Sequence, residues 1–411
     1  MLAINGERLL ADLADLSRVG RTKEGGVSRP ALSAADVEGR AWFYHRVAEA
    51  GLLFRQDGAG NLSAVLPAGD PGAKTLLIGS HLDTVPNGGP YDGALGTLAA
   101  LEVLRTVKQA GLTLPVTLEA ISFTDEEGTI TGLMGSAALT GRLSEKDLRE
   151  ARGGAAALDA GLTRIGSDRA RVLSARRNPD SLAGFVEVHI EQGSRLEEAG
   201  IAIGVVEAIV GIRSMWLHFH GRAAHAGTMP MERRADALWG ASAFVQQARD
   251  LVMARFSPGV MNCGRIQAGP GAFNIVPGLV DLAVEFRHGS EVMLDEMQAV
   301  LIELAQAIAT ENRLTVAVEL ATEGVAAPMN EGVMAAIERA ADSLGLSHTR
   351  LVSFAGHDTQ ALSAVTPAAM FFVPSVDGIS HNPKEFTHPH DLINGANVLL
   401  HTVLGLAEDK K

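Results

Sequence analysis

Apolar and polar positions along this chain fall into two textures. Over residues 1–209, short apolar runs alternate with helical periodicities. Residues 34–51 repeat apolar positions at helical spacing and end on glycine, the residue that closes helices most readily. Residues 61–66 and 75–80 read as strands, 95–107 as a helix, 116–124 as a β-rich run and 184–190 as an alternating strand. These runs lead into chemically capable residues. The run 75–80 stops at His81, 116–124 stops at Asp125-Glu126-Glu127, and His189 stands near the end of 184–190. Such alternation predicts a helix-covered α/β sheet, with ligands gathered beyond its strand ends.

Near residue 210 the texture changes. Residues 213–221 form a strand rich in aromatics and histidine, 235–253 a long helix, 279–288 a strand, 290–310 a second helix and 314–320 a closing strand. With one further strand-like stretch, this order predicts a small α+β sandwich of the ferredoxin-like kind. After about residue 324 the first texture returns, and 367–374 reads as a buried strand. The expectation is therefore a mixed-sheet α/β catalytic domain, residues 1–209 and 324–411, interrupted by a smaller domain over 210–323. Hinges are expected near 209–211 and 322–325. A chain of 411 residues also favours two cores over one.

Composition narrows the function by exclusion. The net charge of −13 disfavours nucleic acid and anionic membrane surfaces, both of which need a positive field. One cysteine, Cys263, can form neither an intrachain disulfide nor a thiolate metal site. No apolar run reaches membrane-spanning length, and the N-terminus lacks the basic and apolar regions of a secretion signal. A cytoplasmic location is the expectation.

The candidate chemistry lies in five segments. Gly79-Ser80-His81-Leu82-Asp83 places an imidazole after a strand, with a carboxylate two residues on that can orient it. In Tyr91-Asp92-Gly93, Asp92 opens a helix; it can cap that helix or bridge two cations. Asp125-Glu126-Glu127 crowds three carboxylates, which repel unless something positive compensates. His189-Ile190-Glu191-Gln192-Gly193 and Gly378-Ile379-Ser380-His381 each add a histidine. Singly, each segment is equally a cap, an acidic loop or a structural histidine. Together, imidazoles and carboxylates at strand ends make a donor set for Zn²⁺, and also for Mn²⁺, Co²⁺ or Ni²⁺.

These segments, with His225-Ala226-Gly227-Thr228-Met229-Pro230-Met231, resemble the carbamoylase/allantoate amidohydrolase branch of the dinuclear metallopeptidases, relatives of aminoacylases and carboxypeptidases. The resemblance runs in order along nearly the whole chain. His189 is the discriminating position, because peptidase relatives usually have Asp there. The resemblance implies two divalent ions per subunit, zinc foremost. Asp92 would bridge them, with His81 and His189 on one ion and Glu127 and His381 on the other. It implies Glu126 as general base, Asp83 as the partner orienting His81, and Gln192, His225, Asn274 and Arg287 as substrate contacts. It also implies a homodimer formed through the inserted domain, in which His225 reaches the partner subunit's active site. The implied reaction cleaves the ureido amide of an N-carbamoyl-L-amino acid to amino acid, ammonia and carbon dioxide. Allantoate, 3-ureidopropionate and N-acyl amino acids are the alternative substrates, and a non-catalytic metal-binding scaffold is the remote one. Departures from the family pattern fall at 129–134, at Ile212, at Ala224 and at Phe354-Ala355-Gly356-His357-Asp358. They bear on the side-chain pocket and spare the implied ligands.

Overall fold

In the computed structural model, which describes residues 1–408, the contact pattern divides the chain into two units. The first comprises residues 1–207, 329–351 and 355 onward; the second comprises 208–328 and 352–354.

The first unit is built on a mixed sheet. Its strands are β1 Leu53–Gln56, β2 Leu62–Leu66, β3 Thr75–His81, β4 Thr117–Phe123 and β5 Leu182–Ile190. β6 is Ile203–Ile209. In the second unit, β7 is Gly211–His220, β8 Ala224–His225, β9 Val260–Gly269, β10 Ile275–Val276, β11 Leu279–His288 and β12 Thr315–Gly324. The pair Ala327–Pro328 forms β13, and His348–Ser353 and Ala368–Val373 form β14 and β15. The main sheet runs β1-β2-β4-β3-β5-β15-β6, with β14 also paired to β6. Its centre, β4-β3-β5-β15, is parallel. The flanking pairs β2–β4, β1–β2 and β15–β6 are antiparallel.

The parallel centre explains the unbroken apolar runs. All of β5 and β15 is buried, so their strands have no solvent face on which to alternate. The helix Ala94–Gln109 packs on β3, β4 and β5, and its residues from Ala94 to Val107 are buried on every side. The last helix, Pro389–Glu408, packs against that helix and β15.

In the second unit the sheet order is β12-β7-β11-β9, antiparallel throughout. The helices Ala237–Arg255 and Glu291–Glu311 pack on this sheet. Their apolar sides join Met215, Leu217 and Phe219 of β7 and Val280, Leu282, Val284 and Phe286 of β11 in one core. Strand, helix, two strands, helix, strand in this order is the ferredoxin-like arrangement. The fold is thus the expected mixed α/β architecture with a separate small antiparallel sheet. Among the described residues, no helix is long and apolar enough to cross a membrane.

Candidate active site

The carboxyl ends of the four parallel strands deliver the site. His81 is the last residue of β3, and Asp125-Glu126-Glu127 follows β4. His189 is the penultimate residue of β5, with Gln192 just beyond. His381 lies in the loop that follows β15, and Asp92 stands just before the helix Ala94–Gln109.

Asp92 organises the group. Its Oδ1 lies 3.2 Å from His189 Nε2 and 3.5 Å from His81 Nε2. Its Oδ2 lies 3.4 Å from His381 Nε2, and that nitrogen lies 3.2 Å from Glu127 Oε2. The donors form two sets, His81–Asp92–His189 and Asp92–Glu127–His381, each compact enough to hold a metal ion. The first is fully buried, whereas His381 is 49% exposed. The structure therefore brings together all five residues expected as ligands.

The ring orientations suit that use. His189 Nδ1 is 2.9 Å from the Ile190 carbonyl and His81 Nδ1 is 3.0 Å from the Asp83 carbonyl. Both rings thereby present Nε2 to Asp92. Asp83 departs from expectation in one detail. Its carbonyl oxygen, rather than its carboxylate, sits at hydrogen-bond distance from His81; the carboxylate is 3.8 Å away. Its two oxygens instead accept from the backbone N–H groups of Glu126 and Glu127, at 3.4 and 3.3 Å. Asp83 thus ties the end of β3 to the acidic loop after β4.

The electrostatics call for positive charge. Burial opposes a charged His81, yet Glu126, Asp92 and Asp83 hold its pKa well above the usual histidine value. Hydrogen bonds to Asp92 and Glu127 raise His381 to about 10. Burial pushes Asp92 up, but His189, His381 and His81 together pull it well below the ordinary carboxylate range. Burial lifts Asp83 to about 7 against the pull of His81, with Asp125 and Glu127 adding to the rise. Burial, with Asp358, Glu127 and Asp92 outweighing His81, also raises Glu126 well above its usual range.

Two buried atoms of the group, His81 Nε2 and Glu127 Oε1, have no hydrogen-bond partner. An imidazole nitrogen and a carboxylate oxygen buried without partners, beside a shared carboxylate, fit the donor set of a divalent cation. A bound cation would supply the positive charge that the raised His81 and His381 pKa values answer to.

Gln192, in a left-handed conformation with φ of 59°, donates from Nε2 to Asp92 Oδ2 at 2.7 Å. His225, Asn274 and Arg287 lie in the second unit. His225, on β8, is exposed, and its Nδ1 accepts from the N–H groups of Gly227 and Thr228 at 3.1 and 3.2 Å. An accepting Nδ1 leaves Nε2 as the ring's donor. The Asn274 carbonyl accepts from Ala226, which ties it to the His225 turn. Arg287, on β11, directs Nε and Nη2 at Glu285 Oε1, at 2.9 and 2.8 Å, and Nη1 at the Phe354 carbonyl, at 2.9 Å.

Residues 77–405 match the model of peptidase family M20/M25/M40. An N-carbamoyl-L-amino acid amidohydrolase of Geobacillus stearothermophilus is 36% identical, over 98% of this chain and 99% of its own. The allantoate amidohydrolase of Bacillus subtilis strain 168 is 33% identical, over 95% of each. A crystal structure of a hydantoinase/carbamoylase family amidase from Burkholderia ambifaria superposes with a TM-score of 0.90 at 36% identity, covering 99% of this chain and 98% of that one. The chain belongs to peptidase family M20/M25/M40.

Beside the five ligand candidates, the same cluster holds residues that sequence reasoning passed over. Ser380 donates to Asp92 Oδ2 at 2.8 Å. Glu187 is buried and accepts from Ser80 at 2.6 Å and from the Thr359 hydroxyl at 2.6 Å, bracing β3 beside His81. His357 packs on the His189 ring at 4.6 Å between centroids. Ser380 and His357 stand in segments already singled out, but their neighbours are distant in sequence. The carboxylate of Glu187, central in an apolar strand, was the available signal.

Proposed function

We propose that this chain is a metal-dependent amidohydrolase that cleaves the ureido C–N bond of N-carbamoyl-L-amino acids, giving the amino acid, ammonia and carbon dioxide. The observation that carries the reading is Asp92, whose two oxygens are divided between the pair His81 and His189 and the pair Glu127 and His381. In the reading, His81, His189, Glu127 and His381, with Asp92 shared between the two donor sets, would hold two divalent ions, zinc foremost, with manganese, cobalt or nickel as alternatives. Full-length likeness to N-carbamoyl-L-amino acid amidohydrolases supports the substrate class.

Bound cations would supply Lewis-acid polarisation of the ureido carbonyl and make an attacking water more acidic. The chain's own groups handle protons and position. Glu126, 3.6 Å from His81 Nε2, takes the proton of the attacking water and passes it to the departing nitrogen. Asp83 holds the Glu126 backbone in place. The Nε2–H of His225 has the chemistry to stabilise the oxyanion, and Arg287 that to grip a carboxylate with its planar fork. Gln192 and Asn274 complete the substrate contacts in this proposal. A cytoplasmic homodimer formed through the second unit, which also serves as a lid, belongs to the same reading.

The likeness to the Bacillus subtilis allantoate amidohydrolase favours a second reading, a ureido-acid amidase acting on allantoate. N-Acyl amino acids form a third substrate group for the same site. A panel of N-carbamoyl-L-amino acids, allantoate and N-acetyl amino acids separates them. The expected result is fastest turnover, with ammonia release, on an N-carbamoyl-L-amino acid. Turnover confined to allantoate or to N-acetyl amino acids would replace the substrate assignment.

A further inference from the structure

Glu385 lies four residues beyond His381 and has no part in the chemistry above. It is nonetheless buried, at 4% exposure. Its Oε1 accepts from two consecutive backbone N–H groups, those of Tyr91 at 2.8 Å and Asp92 at 3.1 Å. Its Oε2 is 3.1 Å from the Ser380 hydroxyl, which is also 2.8 Å from Asp92 Oδ2. One side chain therefore joins the loop that carries Asp92 to the loop that carries His381.

The surroundings are shaped for this contact. Gly89 has no side chain where a Cβ would overlap the Glu385 carboxylate. The rings of Tyr91 and Phe386 meet at 6.4 Å, edge to face, beside it. The His381 loop is closed at its base by the Val376 N–H bonding to the Phe386 carbonyl, and within by the Glu385 N–H bonding to Asn382. His381 itself has φ of 54°, a conformation that needs support from its neighbours. A buried carboxylate receiving two N–H bonds and facing a hydroxyl is a costly group to place without a purpose.

We propose that Glu385 is a positioning residue: it clamps the Asp92 and His381 loops together and so sets the spacing of the donor set Asp92–Glu127–His381. This rests on the metal reading of that set. Glutamine can reproduce the clamp. Its amide oxygen accepts from Tyr91 and Asp92, and its NH₂ donates to Ser380, whose single proton then serves Asp92. Alanine reproduces none of it.

The test compares wild type, Glu385→Ala and Glu385→Gln by calorimetric titration of the metal-stripped protein with Zn²⁺ or Mn²⁺. Thermal melts with and without the ion, and steady-state kinetics, accompany it. The expected result for Glu385→Ala is roughly 10- to 100-fold weaker cation binding, the scale seen when a ligand's supporting partner is lost. Its metal-induced rise in Tm should shrink, and kcat should fall with little change in KM. Glu385→Gln should stay within about threefold of wild type, since it keeps every bond. Wild-type cation affinity in Glu385→Ala, or equal damage in the Gln variant, would overturn the proposal while leaving the metal reading intact. A wild-type protein that binds no divalent cation would overturn both. If Glu385→Ala does not fold, Gly89→Ala carries the same prediction, because it displaces the carboxylate without removing it.

Discussion

At the scale of single residues, the site depends on one carboxylate serving two donor sets. Asp92 is flanked by imidazole rings on both sides, where a pair of cations would supply the positive charge its buried carboxylate needs. Glu126 is set apart from this role. It lies beside His81 but in neither donor set, and burial with neighbouring carboxylates gives it a high proton affinity. Glu126→Gln should therefore keep its metal and its fold while turnover falls by at least ~10², the scale of a lost general base. Elemental analysis with ammonia-release kinetics checks this; near-normal turnover would remove Glu126 from the role. The five ligand candidates were legible in the sequence because His81, Glu127 and His189 stand at or just past the ends of apolar runs, while Asp92 at a helix start and His381 in a Gly/Ser loop were joined to them by the resemblance. The orientation of Asp83 was not. In the extended segment after β3, its carbonyl falls on His81 and its side chain reaches the neighbouring loop, which depends on where β4 lies.

At the scale of elements, four parallel strands place their carboxyl ends side by side, and their register aligns the chemistry. His81 pairs with Phe123, just before the acidic loop, and His189 pairs with Phe372 of β15. The helix Ala94–Gln109 begins at Gly93, whose φ is 63° and whose N–H donates to His189 Nε2 at 3.1 Å. A Cβ there would overlap the His81 ring. Gly93→Ala should combine backbone strain of roughly 1–3 kcal/mol with a displaced His81, and so lower both Tm and metal content. Full metal content after dialysis would show that His81 is not fixed by this turn. The buried central strands could be read from their apolar runs. β1 could not, being a short, largely exposed edge, and β9, which exposes residues along much of its length, was expected only as a strand-like stretch without bounds. Neither has a continuous apolar face to announce it. Glu385, in the same segment as His381, was given no role for a related reason, since its partners at 91 and 92 are nearly three hundred residues away.

At the scale of the whole molecule, two cores with separate sheets share one chain, and the second is inserted into the first. The texture changes near residue 210 because a two-layer antiparallel sheet needs alternation that a buried parallel sheet does not; the second unit itself begins at residue 208. The membership of residues 352–354 in the second unit had no such signal; it follows from the course of β14 in three dimensions. The acidic balance, −13 overall, is compatible with a site that concentrates carboxylates around cations. The central claim is that hydrolysis depends on the paired donor sets around Asp92. It is tested most directly by stripping the protein with a chelator and titrating back Zn²⁺ or Mn²⁺ while following ammonia release from an N-carbamoyl-L-amino acid. The account predicts no turnover in the stripped protein and recovery that saturates near two ions per subunit. Full turnover without metal would contradict it.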